Sequence, residues 1–143
     1  MSIKIVIADD SDIMLTAIRR VLVQDNRMEI VGEASTFAQT MQMIGDRKPS
    51  VLLLDLHLPE SRDFTPAFVK SQLACVPHTL AMSLSNDDDA KALAASYGAQ
   101  VLLDKISLYA QMIPAIIQCC NGHSEPGPTL RLRRNLKSEG YTA

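Results

Sequence analysis

No apolar run in this chain approaches the roughly 20 residues that a helix needs to cross a bilayer, which argues against a helical membrane span. The N-terminus offers one lysine and then a short Ile/Val run that stops at Asp9, so it does not read as a signal peptide. A cytoplasmic protein is expected. Cysteine is scarce: Cys75, Cys119 and Cys120 are too few and too badly spaced for a disulfide framework or a zinc site. They read as buried or half-buried thiols in a reducing compartment, with a redox switch as the alternative. No glycine-rich loop follows the first apolar run, and Asp9-Asp10-Ser11-Asp12 in that place would repel a phosphate, which leaves a nucleotide binder without support. No internal repeat is present. Nor is there an excess of positive charge where the chain is globular: residues 1–119 hold ten basic and fourteen acidic side chains, residues 120–143 four and two. The globular part is therefore a poor nucleic-acid binder by itself.

What is present is enough apolar material for one soluble domain, with 47% apolar and 21% charged residues in 143. Five apolar, β-branched runs punctuate it: Ile3–Ala8, Met28–Ala34, Val51–Leu54, Thr79–Met82 and Val101–Leu103. Runs of this kind between polar turns predict strands buried on both faces of a parallel sheet. Helical spacing fills the gaps. Ile13, Met14, Ala17, Ile18, Val21 and Leu22 predict one face of a first helix, and Phe37, Met41 and Ile44 a weaker second. A fourth helix is predicted to start from Ser85 or Asn86 as N-cap, with Asp87, Asp88 and Asp89 facing the positive end of its dipole, and to end at Gly98. The fifth, about Ser107 to Cys120, contains Pro114, which should kink it or cost a hydrogen bond. It also has more apolar residues than one core-facing stripe needs, so it either packs under the tail or contributes to a subunit interface.

The alternation is (βα)5, an α/β fold whose right-handed crossovers favour a doubly wound parallel sheet. Residues 1–121 are read as one domain. Residues 122–143 are read as a linker or tail, from their Pro/Gly stretch Ser124–Pro128 and basic end; no output domain follows in this chain.

Functional groups of such sheets gather beyond the carboxyl ends of the strands. Asp9 and Asp10 follow the first run, Asp55 the third, Ser83 the fourth and Lys105 the fifth, so all five are predicted at one edge. Each alone has a bland explanation as a helix cap or surface charge; their convergence does not. Carboxylates that converge repel unless a divalent cation neutralises them, and hard oxygen ligands suit Mg²⁺. A carboxylate is also a nucleophile that can form an acyl phosphate, with a lysine and a hydroxyl placed around the phosphoryl oxygens.

The segments IVIADDSD, VLLLDLHLP, AMSLSND and VLLDK resemble the four signature stretches of bacterial response-regulator receiver domains. Order and spacing also match, with 45 residues from Asp10 to Asp55, 28 more to Ser83 and 22 more to Lys105, over residues 1 to about 120. The resemblance implies a flavodoxin-like five-stranded sheet of order 2-1-3-4-5. It implies Asp55 as phosphoacceptor for a sensor histidine kinase and Mg²⁺ on Asp10 and Asp55, with Asp9 nearby through water and His57 contributing only its backbone carbonyl. Ser83 would be the hydroxyl that moves toward the phosphoryl group and Lys105 its ion-pair partner. Such a domain is a switch that assists its own phosphorylation and dephosphorylation rather than an enzyme, and it would touch DNA only through an output domain absent here. A homodimer through the first and fifth helices is a further expectation.

Four positions depart from the family pattern. Ile106 replaces the proline that often follows the lysine, and this, with Ser83-Leu84-Ser85-Asn86, is similar to the LuxR-type, nitrate-regulator-like branch. Leu102 replaces the switch aromatic, Asp63 a glycine in a left-handed turn, and Leu84 a small residue, where its bulk would slow phosphoryl access. A pseudo-receiver that binds partners without being phosphorylated is the alternative function, and a flavodoxin-like enzyme a distant third.

Overall fold

The first apolar run forms β1 (Ile3–Ala8), and its residues alternate between two separate cores. Ile5 and Ile7 point into one, Val6 and Ala8 into the other. Apolar residues on both faces of a strand are what a sheet covered on both sides requires. In this computed structural model, which describes residues 2–121 and 130–131, the same holds for β3 (Val51–Asp55), β4 (His78–Ser83) and β5 (Val101–Asp104). With β2 (Met28–Ala34) they make a parallel sheet of order β2-β1-β3-β4-β5. The predicted runs are the observed strands, lengthened by a residue or two at three of them.

One feature was not predicted. Leu130–Arg131 forms a sixth, two-residue strand, β6, antiparallel to β5, with Leu130 opposite Leu102 and Arg131 opposite Val101. It falls within the segment read as linker or tail; residues 122–129 and 132–143 lie outside the described residues.

The helices sort by face. α1 (Asp12–Leu22) and α5 (Leu108–Asn121) cover the core around Ile5, Ile7, Leu53 and Leu80. α2 (Phe37–Arg47), α3 (Pro66–Leu73) and α4 (Asp88–Ser96) supply the other, around Val6, Leu52, Ala81 and Leu102. The predicted stripe of α1 needs correction. Its buried residues are Leu15, Ile18 and Leu22, at helical i, i+3, i+7 spacing, whereas Ile13 is 81% exposed. In α2, Thr40 is fully buried between Phe37 and Ile44 because its hydroxyl donates back to Thr36 O at 2.8 Å.

The start of α4 also needs correction. The N-cap is Asp87, whose carboxylate accepts from Ala90 N at 2.9 Å, and not Ser85 or Asn86. Ser85 instead accepts from Asp87 N at 3.3 Å, one step outside the helix. The far end behaves as predicted. Gly98 takes φ +84°, with Gly98 N bonded to Ala95 O and Ala99 N to Ala94 O, the paired bonds of a Schellman stop. The left-handed residue after β3, by contrast, is Glu60 (φ 77°); Asp63 lies in a 3-10 turn, Ser61–Asp63. The α5 helix is preceded by another 3-10 turn, Lys105–Ser107, and runs on through Pro114, which has no N–H to return to the preceding turn.

Candidate functional site

The polypeptide leaves the sheet at the ends of β1, β3, β4 and β5, and each exit delivers one of the predicted side chains to the same place. Asp9 follows β1 directly and is shut from solvent. Its Oδ1 accepts from Ser11 N at 2.9 Å, which fixes the carboxylate. Asp55 closes β3 and is 4% exposed; its Oδ1 accepts from His57 N at 3.1 Å. Lys105, first residue beyond β5, reaches across to both: Nζ lies 2.7 Å from Asp9 Oδ2 and 3.3 Å from Asp55 Oδ1. Asp10 is exposed, with a carboxylate oxygen that groups with those of Asp9 and Asp55 within 4.8 Å of one another. Ser83 ends β4, is 1% exposed, and pairs in register with Asp104, the residue before Lys105. Its hydroxyl oxygen accepts from Ser85 N at 3.1 Å. His57 itself points outward, exposed.

The electrostatics follow from this packing. Burial pushes the Asp55 carboxyl above the ordinary carboxylate range; the His57 N–H opposes this, the Asp9 charge adds to it, and Lys105 works against it. For Lys105 burial works to lower its value, but the close pairing with Asp9 and the charge of Asp55 outweigh it and raise the value above the ordinary lysine range. One cation therefore faces three carboxylates, and a net negative charge remains at the edge.

The residues fit a divalent cation. Although Lys105 is close to Asp9 Oδ2, the contact lacks hydrogen-bond geometry, and that buried oxygen has no hydrogen-bond partner. An unsatisfied buried carboxylate oxygen beside an exposed carboxylate and a third acid is an all-oxygen donor set suited to Mg²⁺.

Ser11 was not singled out as a site residue. It has two roles: its hydroxyl caps α1 by accepting from Met14 N at 3.2 Å, while its N–H orients Asp9. A serine just before an apolar helical segment was the available signal. Glu60 was also missed. Its left-handed turn lets Pro59 O accept from Phe37 N at 3.3 Å and its own Oε1 accept from Ala38 N at 3.3 Å, tying the loop after Asp55 to the start of α2. Of the four departures, Leu102 is buried in the core with Ala90 and Ala94, while Leu84 is 70% and Ile106 78% exposed.

Known proteins are similar to this chain in sequence and in fold. A protein-glutamate methylesterase/protein-glutamine glutaminase from Cereibacter sphaeroides is 34% identical over 119 residues, 80% of this chain and 32% of that protein. A probable transcriptional regulatory protein NarL of Mycobacterium tuberculosis is 24% identical over 128 residues, 90% of this chain and 59% of that one. The chain thus spans less than two thirds of the length of these relatives. Among solved structures, the signal receiver domain of the putative response regulator NarL from M. tuberculosis superposes with a TM-score of 0.74 at 25% identity, covering 85% of this chain and 98% of that domain. The family described as the response regulator receiver domain matches residues 5–117, and with the fold and its carboxyl-edge cluster this makes the chain a member of that family.

Proposed function

We propose that this receiver domain is a phosphorylation switch in which Asp55 accepts a phosphoryl group from a phosphohistidine of a sensor histidine kinase. The observation that carries this reading is the partly buried Lys105 ammonium, 2.7 Å from Asp9 and 3.3 Å from Asp55. Asp55 Oδ1 is held by His57 N–H, and no hydrogen bond among the described residues engages Oδ2, which leaves that oxygen to attack. The new bond joins carboxylate oxygen to phosphorus, the phosphorus–nitrogen bond breaks, and the departing imidazole takes up a proton. Lys105 and the Ser83 hydroxyl then offer a charge and a neutral donor to the phosphoryl oxygens.

Asp10 and Asp55, with the His57 carbonyl, would hold Mg²⁺, and Asp9 would face it through water. The ion supplies the positive charge that lets carboxylates and a phosphoryl group share one site. The chain does not act as an enzyme on a separate substrate. Its output, transcription through a DNA-binding domain, is proposed from the LuxR-type resemblance. A cytoplasmic, bacterial setting accords with that reading. Residues 1–121 would be the switch and the remainder the connection. A homodimer through α1 and α5 is supported by Ile13 and Tyr109, 81% and 67% exposed, which line one groove with Thr16 and Arg20.

The test is intact mass after incubation with Mg²⁺ and a small-molecule phosphodonor, with Asp55→Asn alongside. One added phosphoryl group, absent in the variant and without Mg²⁺, is the expected result. A folded protein that gains none is a pseudo-receiver.

A further inference from the structure

The β5 strand ends the parallel sheet and by itself would leave a row of unpaired backbone groups, a template for any extended segment. The chain's own Leu130–Arg131 lies there, antiparallel, on Val101 and Leu102. Eight residues separate Asn121, the end of α5, from Leu130. Extended, they reach at most about 26–29 Å, ample for a return along a four-residue strand. We propose that Leu130–Arg131 is a strap that closes the β5 edge while Asp55 is unphosphorylated and leaves it when Asp55 carries a phosphoryl group. The release rests on the reading of Asp55 as phosphoacceptor; the closure does not.

Three observations lead there. First, β5 joins the strap to the site: Leu102 pairs with Leu130, Asp104 pairs with Ser83, and Lys105 follows Asp104. A pull on Ser83 and Lys105 therefore acts on the strand to which the strap is bonded. Second, the ladder is two residues long. The backbone entropy lost in ordering two residues is of the same size as the net gain from the few hydrogen bonds they make, so a small change in β5 tips the balance. Third, a segment tethered by eight residues meets its own edge at an effective concentration in the millimolar range, which favours its own chain over a second copy.

The experiment is hydrogen exchange followed by mass spectrometry on the full chain, reading the segment Val101–Asp104. It compares the wild type with a Leu130→Pro/Arg131→Pro double variant. Neighbouring strand residues direct their N–H groups to opposite sides, so one of the two prolines removes a donor to β5 whichever way the strap faces. Exchange in β5 is expected to rise roughly tenfold in the double variant while β1 and β3 stay protected. Beryllium fluoride with Mg²⁺, a phosphoryl mimic, is expected to produce the same rise in the wild type.

Equal exchange in wild type and double variant overturns the strap. Protection that depends on protein concentration overturns the intramolecular form and points to strand exchange between copies. A ¹⁹F resonance of bound beryllium fluoride with β5 still protected overturns the release. Absence of that resonance removes the phosphoacceptor reading and the release with it, and the closure is then judged on the double variant alone.

Discussion

Lys105 Nζ stands 2.7 Å from Asp9 Oδ2, an oxygen closed to solvent that has no hydrogen-bond partner. This contact compensates charge without fully satisfying the carboxylate. The lysine's value is raised in the folded protein, so its stabilising contribution is complete below the unfolded lysine value and is lost as pH rises through the folded one. At neutral pH it is therefore fully present. Lys105→Met should leave two buried carboxylates uncompensated and cost about 3–5 kcal/mol. Thermal unfolding at pH 7 measures this, and added Mg²⁺ should recover part of the loss. Unchanged stability would show the ion pair to be dispensable.

Asp55→Asn should have the opposite sign. The Asp55 carboxyl is raised first by burial and then by the Asp9 charge, against the His57 N–H and Lys105. In the folded state the ionised form is thus disfavoured at neutral pH, and the cost is relieved as pH falls through the raised value. Asparagine removes the charge, and Lys105 keeps Asp9. The metal-free variant should be more stable than wild type at pH 7 by on the order of 1 kcal/mol. The difference should vanish in acid, where both states of the wild type bind the proton. Urea unfolding at several pH values checks both sign and window.

Leu84 follows the Ser83 hydroxyl and is 70% exposed, so its isobutyl group contributes little to the core. Leu84→Ala should leave stability within about 0.5 kcal/mol of wild type. It should also raise the rate of Asp55 phosphorylation by a small phosphodonor several-fold, measured by mass against time. A slower rate would mean that the leucine shapes the approach rather than obstructing it.

Most of the sheet was legible because strands buried on both faces show as continuous apolar runs. Val51–Asp55 has five buried residues in succession, which needs no knowledge of partners. The site residues were legible for a related reason: a parallel sheet brings all strand ends to one edge, so Asp9, Asp55, Ser83 and Lys105 converge by topology. What was missed depends on tertiary context. Ile13 looks like a core residue in the periodicity of α1, but the helix sets Leu15 inward instead. The α4 cap depended on which of several oxygens in Ser85-Asn86-Asp87 reaches Ala90. Pairing of Leu130–Arg131 with β5 leaves no local signal, since its partner lies in a strand nearly thirty residues earlier.

The two glycines Gly45 and Gly98 should respond to alanine in opposite ways. Gly98 has φ +84°, and an added Cβ would meet Lys70 Cγ at 3.4 Å. Gly98→Ala should cost about 1–2 kcal/mol, chiefly from the left-handed backbone. Gly45 lies within α2, and a Cβ there meets nothing within 4 Å. Gly45→Ala should add about 0.5–1 kcal/mol from helix propensity and the stiffer unfolded chain. Denaturant midpoints of the two variants decide the pair.

Leu102 occupies the position where the family resemblance leads one to expect a mobile aromatic, yet it is 2% exposed and shares its core with Ala90, Ala94 and Tyr97. A buried leucine in a close-packed interior has no open position to rotate into. Its methyl resonances should report one rotamer with and without beryllium fluoride, while Ser83 and Lys105 respond. Leu102→Ala should cost about 2–5 kcal/mol, as large-to-small changes in a core do. If the methyls instead changed rotamer on adding the mimic, the leucine would be the moving part, and coupling between site and surface would run through the side chain rather than the backbone of β5.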